Sequence, residues 1–154
     1  MNGPIMEQNK DFEEFIELLN KNKVRFVIVG GHAVAFHGYP RYTGDIDFLF
    51  ESDSTNAKAI VKTLTAFGFK SLGISNQDLC KKGQVVQLGQ PPNRIDLINV
   101  IDGVAFKKIW TNKVPGKYGS QPCFYIGFEE LLANKANVRR PKDIADIEIL
   151  KKQK

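Results

Sequence analysis

The feature that most restricts this chain is Asp45-Ile46-Asp47-Phe48-Leu49-Phe50, which sets two carboxylates into an otherwise apolar, strand-forming run. Side chains alternate across a strand, so Asp45 and Asp47 share one face while Ile46 and Phe48 share the other. One side asks for a core and the other cannot enter it. Two like charges so placed repel unless a cation sits between them. Hard oxygen donors suit Mg²⁺ or Mn²⁺, and Mg²⁺ commonly takes one or two carboxylates and completes its shell with water and substrate phosphates. Taken alone, the pair fits a solvated edge strand better, since exposed acidic pairs are common.

Asp96 lies inside a second apolar strand, Arg94-Ile95-Asp96-Leu97-Ile98, where an unpaired carboxylate is costly. Arg94 or Arg41 can neutralise it as a salt bridge. Alternatively, it joins Asp45 and Asp47 to complete the carboxylate set of a two-metal phosphoryl-transfer site. Gly30-Gly31 ends the β-branched run at residues 24–29 and opens a helix, so backbone N–H groups can approach an anion closely there. The segment lacks the third glycine of GxGxxG and is not GxxxxGK[ST], which removes the Rossmann and P-loop readings.

At 154 residues, 42% hydrophobic and 25% charged, the chain has the balance of one globular domain. Helical spacing of Phe12, Phe15, Ile16 and Leu19 predicts an amphipathic helix over 11–20, capped by Asn9 or Asp11. Strands are predicted at 24–29, 43–51, 85–88, 94–100 and 104–109. Further helices are predicted at 32–37, from the Ser52-Asp53-Ser54 cap to about 67, at 128–134, and at 142–152 behind Pro141. The expected class is α/β (α+β), a mixed sheet of about five strands with helices packed on it. Within one domain, 1–154, the parts are an N-terminal helix (1–23), a catalytic sheet (24–110) and closing helices (128–152). There is no apolar stretch of about 18 residues and no leader pattern, so the expectation is a cytoplasmic protein with no membrane partner. Cys80 and Cys123 have neither CxxC spacing nor a histidine cluster, which argues against zinc and against a disulfide framework.

The net charge is +5, and residues 131–154 carry +4 of it, with seven basic side chains against three acidic. A basic segment points to polyphosphate or nucleic acid, or else to a solvated helix whose lysines complement its dipole. Lys135 follows Leu131 and Leu132 by four and three residues, so it faces the protein and either snorkels or reaches into a site. Asp143 and Asp146 suit a helix's first turn. His32 and His37 read as local hydrogen-bonding residues before acid–base groups.

Val29-Gly30-Gly31, thirteen intervening residues, Asp45-Ile46-Asp47-Phe48 and the later Asp96 together resemble the signature of the polymerase-beta-type nucleotidyltransferase superfamily. Gly30-Gly31-His32-Ala33-Val34, the run from Gly38 to Asp45, Arg94-Ile95-Asp96-Leu97 and the run from Arg140 to Asp146 are similar to the small bacterial nucleotidyltransferases. That group includes abortive-infection-type toxins and antibiotic-modifying enzymes, and the likeness spans about residues 24–150. It implies transfer of a nucleoside monophosphate from a nucleoside triphosphate to an acceptor hydroxyl, with release of pyrophosphate and dependence on two Mg²⁺ or Mn²⁺ ions. Carried over, Asp45, Asp47 and Asp96 are the catalytic and metal-binding residues, and Asp96 activates the acceptor hydroxyl. Gly30, Gly31, Arg41, Thr43, Lys135, Arg140 and Lys142 would bind the nucleotide.

The basic tail favours RNA over a small molecule as acceptor, in a toxin-like role that would bring an antitoxin partner or a homodimer. Relatives often append a helical acceptor-binding domain. These 154 residues leave no room for one, so acceptor choice is expected from loops, a second copy or another protein. The alternatives are a catalytically idle nucleotide- or RNA-binding domain, an antibiotic nucleotidyltransferase, and a metal-dependent phosphohydrolase. Three convergent aspartates favour an enzyme, since a binder of polyanions has no use for them.

Overall fold

Strand β1 (Phe26–Val29) is buried at all four positions, which places it inside the sheet. The computed structural model describes residues 9–39 and 44–153. Around β1 the chain builds a six-stranded mixed sheet in the order β3-β4-β2-β1-β6-β5. The other strands are β2 (Ile46–Phe50), β3 (Val85–Leu88), β4 (Ile95–Ile98), β5 (Val114–Tyr118) and β6 (Gln121–Tyr125). β1 runs antiparallel to β2 and parallel to β6, and β2 runs parallel to β4. The hairpin partners β3 and β5 close the two edges antiparallel to β4 and β6.

Helix α1 (Lys10–Lys21) begins where the Asn9 side chain accepts the Phe12 N–H, and its buried residues are Phe12, Phe15, Ile16 and Leu19. Phe15 packs on Phe48 of β2 and on Phe67, just past helix α3 (Ser54–Ala66), so α1 covers the sheet face that carries Phe48 and Phe26. By strand alternation Asp47 projects from the opposite face. Helix α2 (Gly30–Phe36) joins β1 to β2, and α4 (Asn76–Cys80) precedes β3 with a Ser75–Asp78 capping box. Helices α6 (Phe128–Val138) and α7 (Pro141–Lys152) follow the last strand.

Residues 104–109, expected as a strand, instead lead into helix α5 (Phe106–Thr111), which buries Ile109 and stacks Phe106 on Trp110 at 5.9 Å. The spacing of these three residues is helical, and a short apolar run does not by itself distinguish the two periods. β5 and β6 were not expected, because Pro115 and Pro122 interrupt their pattern. β5 is an edge strand, and β6 registers with β1 only at Ile28↔Tyr125, so Pro122 lies beyond that pairing. The sheet therefore runs to Tyr125 and not to 110. Among the described residues no helix is long and apolar enough to cross a membrane.

Candidate active site

The site grows from the first residues of β2 and β4. Asp47 pairs in register with Asp96 on one side and with Val29 on the other, so both carboxylates leave the same face of adjacent strands. Asp45 stands just before β2, where its Oδ1 accepts the Arg94 backbone N–H at 2.8 Å. The Ile46 N–H in turn donates to the Arg94 carbonyl at 3.0 Å, which locks the two strand beginnings together.

Arg94 is the internal counter-ion. Its Nε and Nη2 donate to Asp96 Oδ1 and Oδ2 at 2.7 and 3.1 Å, and Nη2 lies 3.4 Å from Asp45 Oδ2. The fork follows from strand parity, since residues two apart share a face. Asp96 is only 8% exposed. Burial, and then the charge and hydrogen bond of Asp96, push the Asp47 pKa up to about 7, with Asp45 adding to the rise and Arg94 opposing it. Three carboxylates thus face one guanidinium, an excess of two negative charges once Asp47 has lost its proton.

Two glycines permit this crowding. Gly30, the first residue of α2, has φ +70°, and a Cβ there would stand 2.2 Å from Asp47 Oδ2. Gly44 lies so close to the Pro92 carbonyl oxygen that a Cβ would meet it at 2.2 Å. His32 sits between Phe12 and Tyr118 in edge contacts of 5.9 and 5.7 Å, and its Nε2 is enclosed without a hydrogen-bond partner among the described residues. Burial pulls its pKa down to about 4 against a backbone hydrogen bond to Gly44, so the ring is neutral near pH 7. His37 Nε2 is hydrogen-bonded to the Ile126 carbonyl at 2.7 Å, so it is a hydrogen-bonding residue as expected, but with a partner distant in sequence and not a local one.

The structure thus brings together Gly30, Asp45, Asp47 and Asp96. Arg41 and Thr43 lie outside the described residues. Lys135 turns to other partners: its Nζ donates to Asp143 Oδ1 at 3.1 Å and Asp146 Oδ2 at 2.8 Å, and it is 5% exposed. Arg140 caps α7 by bonding Asp143, its side chain is 61% exposed, and Asp47 lies within electrostatic reach of it. Lys142 is exposed on the same first turn of α7.

Among the described residues no three His, Cys, Asp or Glu side chains converge into a complete metal cage. Asp45 is drawn to Arg94, which leaves Asp47 and Asp96 as the closest pair. That pair still fits a hard divalent cation, because its donors are oxygens and the three carboxylates outnumber the one guanidinium among them. Mg²⁺ sites ordinarily finish their shell with water and phosphate oxygens.

No family model matches the chain, and no curated protein is significantly similar to it in sequence. Solved structures do match in shape. A Thermotoga maritima protein assigned as a nucleotidyltransferase superposes with a TM-score of 0.59 at 15% identity, covering 93% of this chain and 89% of that one. The fold is that of the nucleotidyltransferases. The same nucleotidyltransferase fold appears in the lincomycin-bound lincosamide antibiotic adenylyltransferase LnuA, with a TM-score of 0.58, 17% identity, and 99% and 100% of the two chains covered. An antigenic nucleotidyltransferase-like protein from Paracoccidioides brasiliensis matches at a TM-score of 0.54 and 18% identity, over 93% of this chain and 76% of its own.

Proposed function

We propose that the chain is a divalent-cation-dependent nucleotidyltransferase that moves a nucleoside monophosphate from a nucleoside triphosphate to an acceptor hydroxyl and releases pyrophosphate. The observation that carries this reading is the in-register Asp47–Asp96 pair with Gly30 pressed against it, inside a nucleotidyltransferase fold. Asp47 and Asp96, with Asp45 beside them, would hold Mg²⁺ or Mn²⁺, which when bound polarises phosphoryl oxygens. Gly30 and Gly31 begin α2 with no side-chain cap and are assigned to the triphosphate by resemblance. Arg140 and Lys142 supply positive charge to the phosphates, and Arg41 and Thr43 remain assigned to the nucleotide by resemblance. Asp96, held in plane by Arg94, takes the acceptor's proton. Lys135 is withdrawn from the phosphate role, because both of its carboxylate partners would have to be given up.

Two acceptor readings stand on different observations. Exposed Arg139, Lys142, Lys151 and Lys152 favour RNA, whose phosphates can use them, and a toxin-like role would follow from it. The likeness to LnuA over the length of both chains favours a small hydroxylated molecule. Incubation with each α-labelled nucleoside triphosphate and Mg²⁺, with total RNA or with a lincosamide, tests all of this. Label moving to an acceptor with pyrophosphate release is the expected result. Binding without transfer would leave an idle nucleotide-binding domain, and release of inorganic phosphate would make it a phosphohydrolase. Steep loss of RNA labelling between low and moderate salt would mark a polyanionic acceptor.

A further inference from the structure

Helix α7 turns its charged side inward. Its buried residues are Asp143, Asp146 and Leu150, while Ile144 is 49% exposed, the reverse of an ordinary amphipathic helix. The aspartates meet Lys135 of α6, whose ammonium bridges them, and none of the three is more than 5% exposed. Withdrawing three charges from water is costly, and apolar side chains of the same volume often hold such a contact as well or better. Stability alone does not account for this triad.

Its outer end does. Asp143 accepts Arg140 Nε at 2.7 Å on Oδ2 and Arg140 Nη2 at 3.3 Å on Oδ1, beside the Arg140 backbone N–H at 3.2 Å. Arg140 belongs half to solvent and half to this network, and the charge of Asp47 also acts on it. An arginine stem in water samples many rotamers, whereas a guanidinium forked onto a buried carboxylate is fixed in plane and direction. Asp143 cannot swing to follow it, because Lys135 holds Oδ1 from behind. The two cations and two aspartates sum to zero, and the fork leaves further guanidinium N–H donors for an anion.

We propose that Asp143, pinned by Lys135, is a positioning residue that fixes the Arg140 guanidinium as the clamp on the nucleotide's phosphates. This rests on the nucleotidyl-transfer reading above. A mere helix cap predicts something different: asparagine at 143 still accepts the backbone N–H but cannot form the charged fork.

The test is a double-mutant cycle read by equilibrium binding, with Mg²⁺-tripolyphosphate and the four Mg²⁺-nucleoside triphosphates as probes. Arg140→Ala should weaken binding roughly tenfold to a hundredfold. Asp143→Asn should weaken it severalfold in the wild type and not at all in the Arg140→Ala background, because Asp143 acts only through Arg140. Arg140→Lys keeps the charge without the fork; it should bind like Asp143→Asn and be indifferent to that second change. Lys135→Met should give a smaller loss of the same kind. If Asp143→Asn unfolds the chain, Asp143→Glu, which retains charge but displaces the carboxylate by one methylene, carries the cycle. An equal loss from the Asp143 change in both backgrounds, or unaltered binding in Arg140→Ala, would overturn the positioning role while leaving nucleotide binding intact. Failure of the wild-type chain to bind any probe would overturn both readings together.

Discussion

Asp47 and Asp96 stand directly opposite each other in the parallel pairing of β2 and β4, with Gly30 pressed on one of them and Arg94 forked onto the other. In the metal-free protein the pair is held together with a proton that burial and Asp96 keep on Asp47, whose pKa is raised to about 7 from an ordinary 3.8.

A carboxyl whose folded pKa is raised stabilises the fold fully only while both states are protonated, and that advantage is lost as pH rises through the folded value. In EDTA the wild type should therefore lose stability between about pH 4 and pH 7, by a few kcal/mol at most. Asp47→Asn should flatten this slope, raise the melting temperature at pH 8 and abolish nucleotidyl transfer. Thermal melts across pH decide it: an equally steep slope in the variant would assign the titration to another group.

Asp96→Asn and Asp45→Asn should also abolish transfer, but without the gain in stability, since each loosens an Arg94 contact. Arg94→Gln should lower metal-free stability, because the fork onto Asp96 is lost. Because it leaves three carboxylates without their internal cation, Mn²⁺ should raise its melting temperature more than it raises that of the wild type. Equal Mn²⁺ shifts in the two proteins would mean that the guanidinium and the metal do not share the same charges.

Gly30→Ala meets both a left-handed φ and the Asp47 carboxylate, so a loss of about 1–3 kcal/mol is expected, together with loss of transfer. Gly44→Ala should cost at least as much, because its obstacle is the Pro92 backbone carbonyl and not the end of a side chain. Chemical denaturation ranks the two, and a neutral Gly44→Ala would show that the residue 89–93 loop yields easily.

Lys135→Met should destabilise by about 3–5 kcal/mol, the cost of stranding buried carboxylates. Burial raises the Asp143 pKa, but the hydrogen bonds from Arg140 and Lys135 outweigh it and hold the value down to about 2. That contribution, on the order of 2 kcal/mol, is present above about pH 4 and lost as pH falls toward 2. Asp143→Asn should remove this acid limb from the stability profile, and an unchanged limb would contradict the assignment.

The central strands were legible because each apolar run is bounded by glycine or a polar turn, and strand alternation aligns Asp45 with Asp47; that Asp96 meets them depends on β4 pairing with β2. Arg94 was legible as a partner of Asp96 by the same alternation, although its reach to Asp45 depends on β2 and β4 being neighbours. The hairpin of β5 and β6 was hidden by Pro115 and Pro122, residues that edge and terminal positions tolerate. Lys135 was read correctly as pointing inward, but its partners were not. Asp143 and Asp146 look like ordinary dipole-complementing residues until tertiary contact reverses the helix's polarity and leaves Ile144 outside.

The two sides of the site differ in how far apart they lie along the chain. Val29 and Asp47 pair within one compact β1–α2–β2 unit, whereas Asp96 arrives 49 residues after Asp47, once β4 docks beside β2. Closing the longer loop adds little entropy cost over the shorter one, but only that step brings the like charges face to face. Repulsion from Asp96 therefore falls on strand docking and spares the β1–α2–β2 unit. Ions that neutralise the carboxylates should therefore speed the docking of β4 during refolding, so that the carboxylate pair and the centre of the sheet form in the same event.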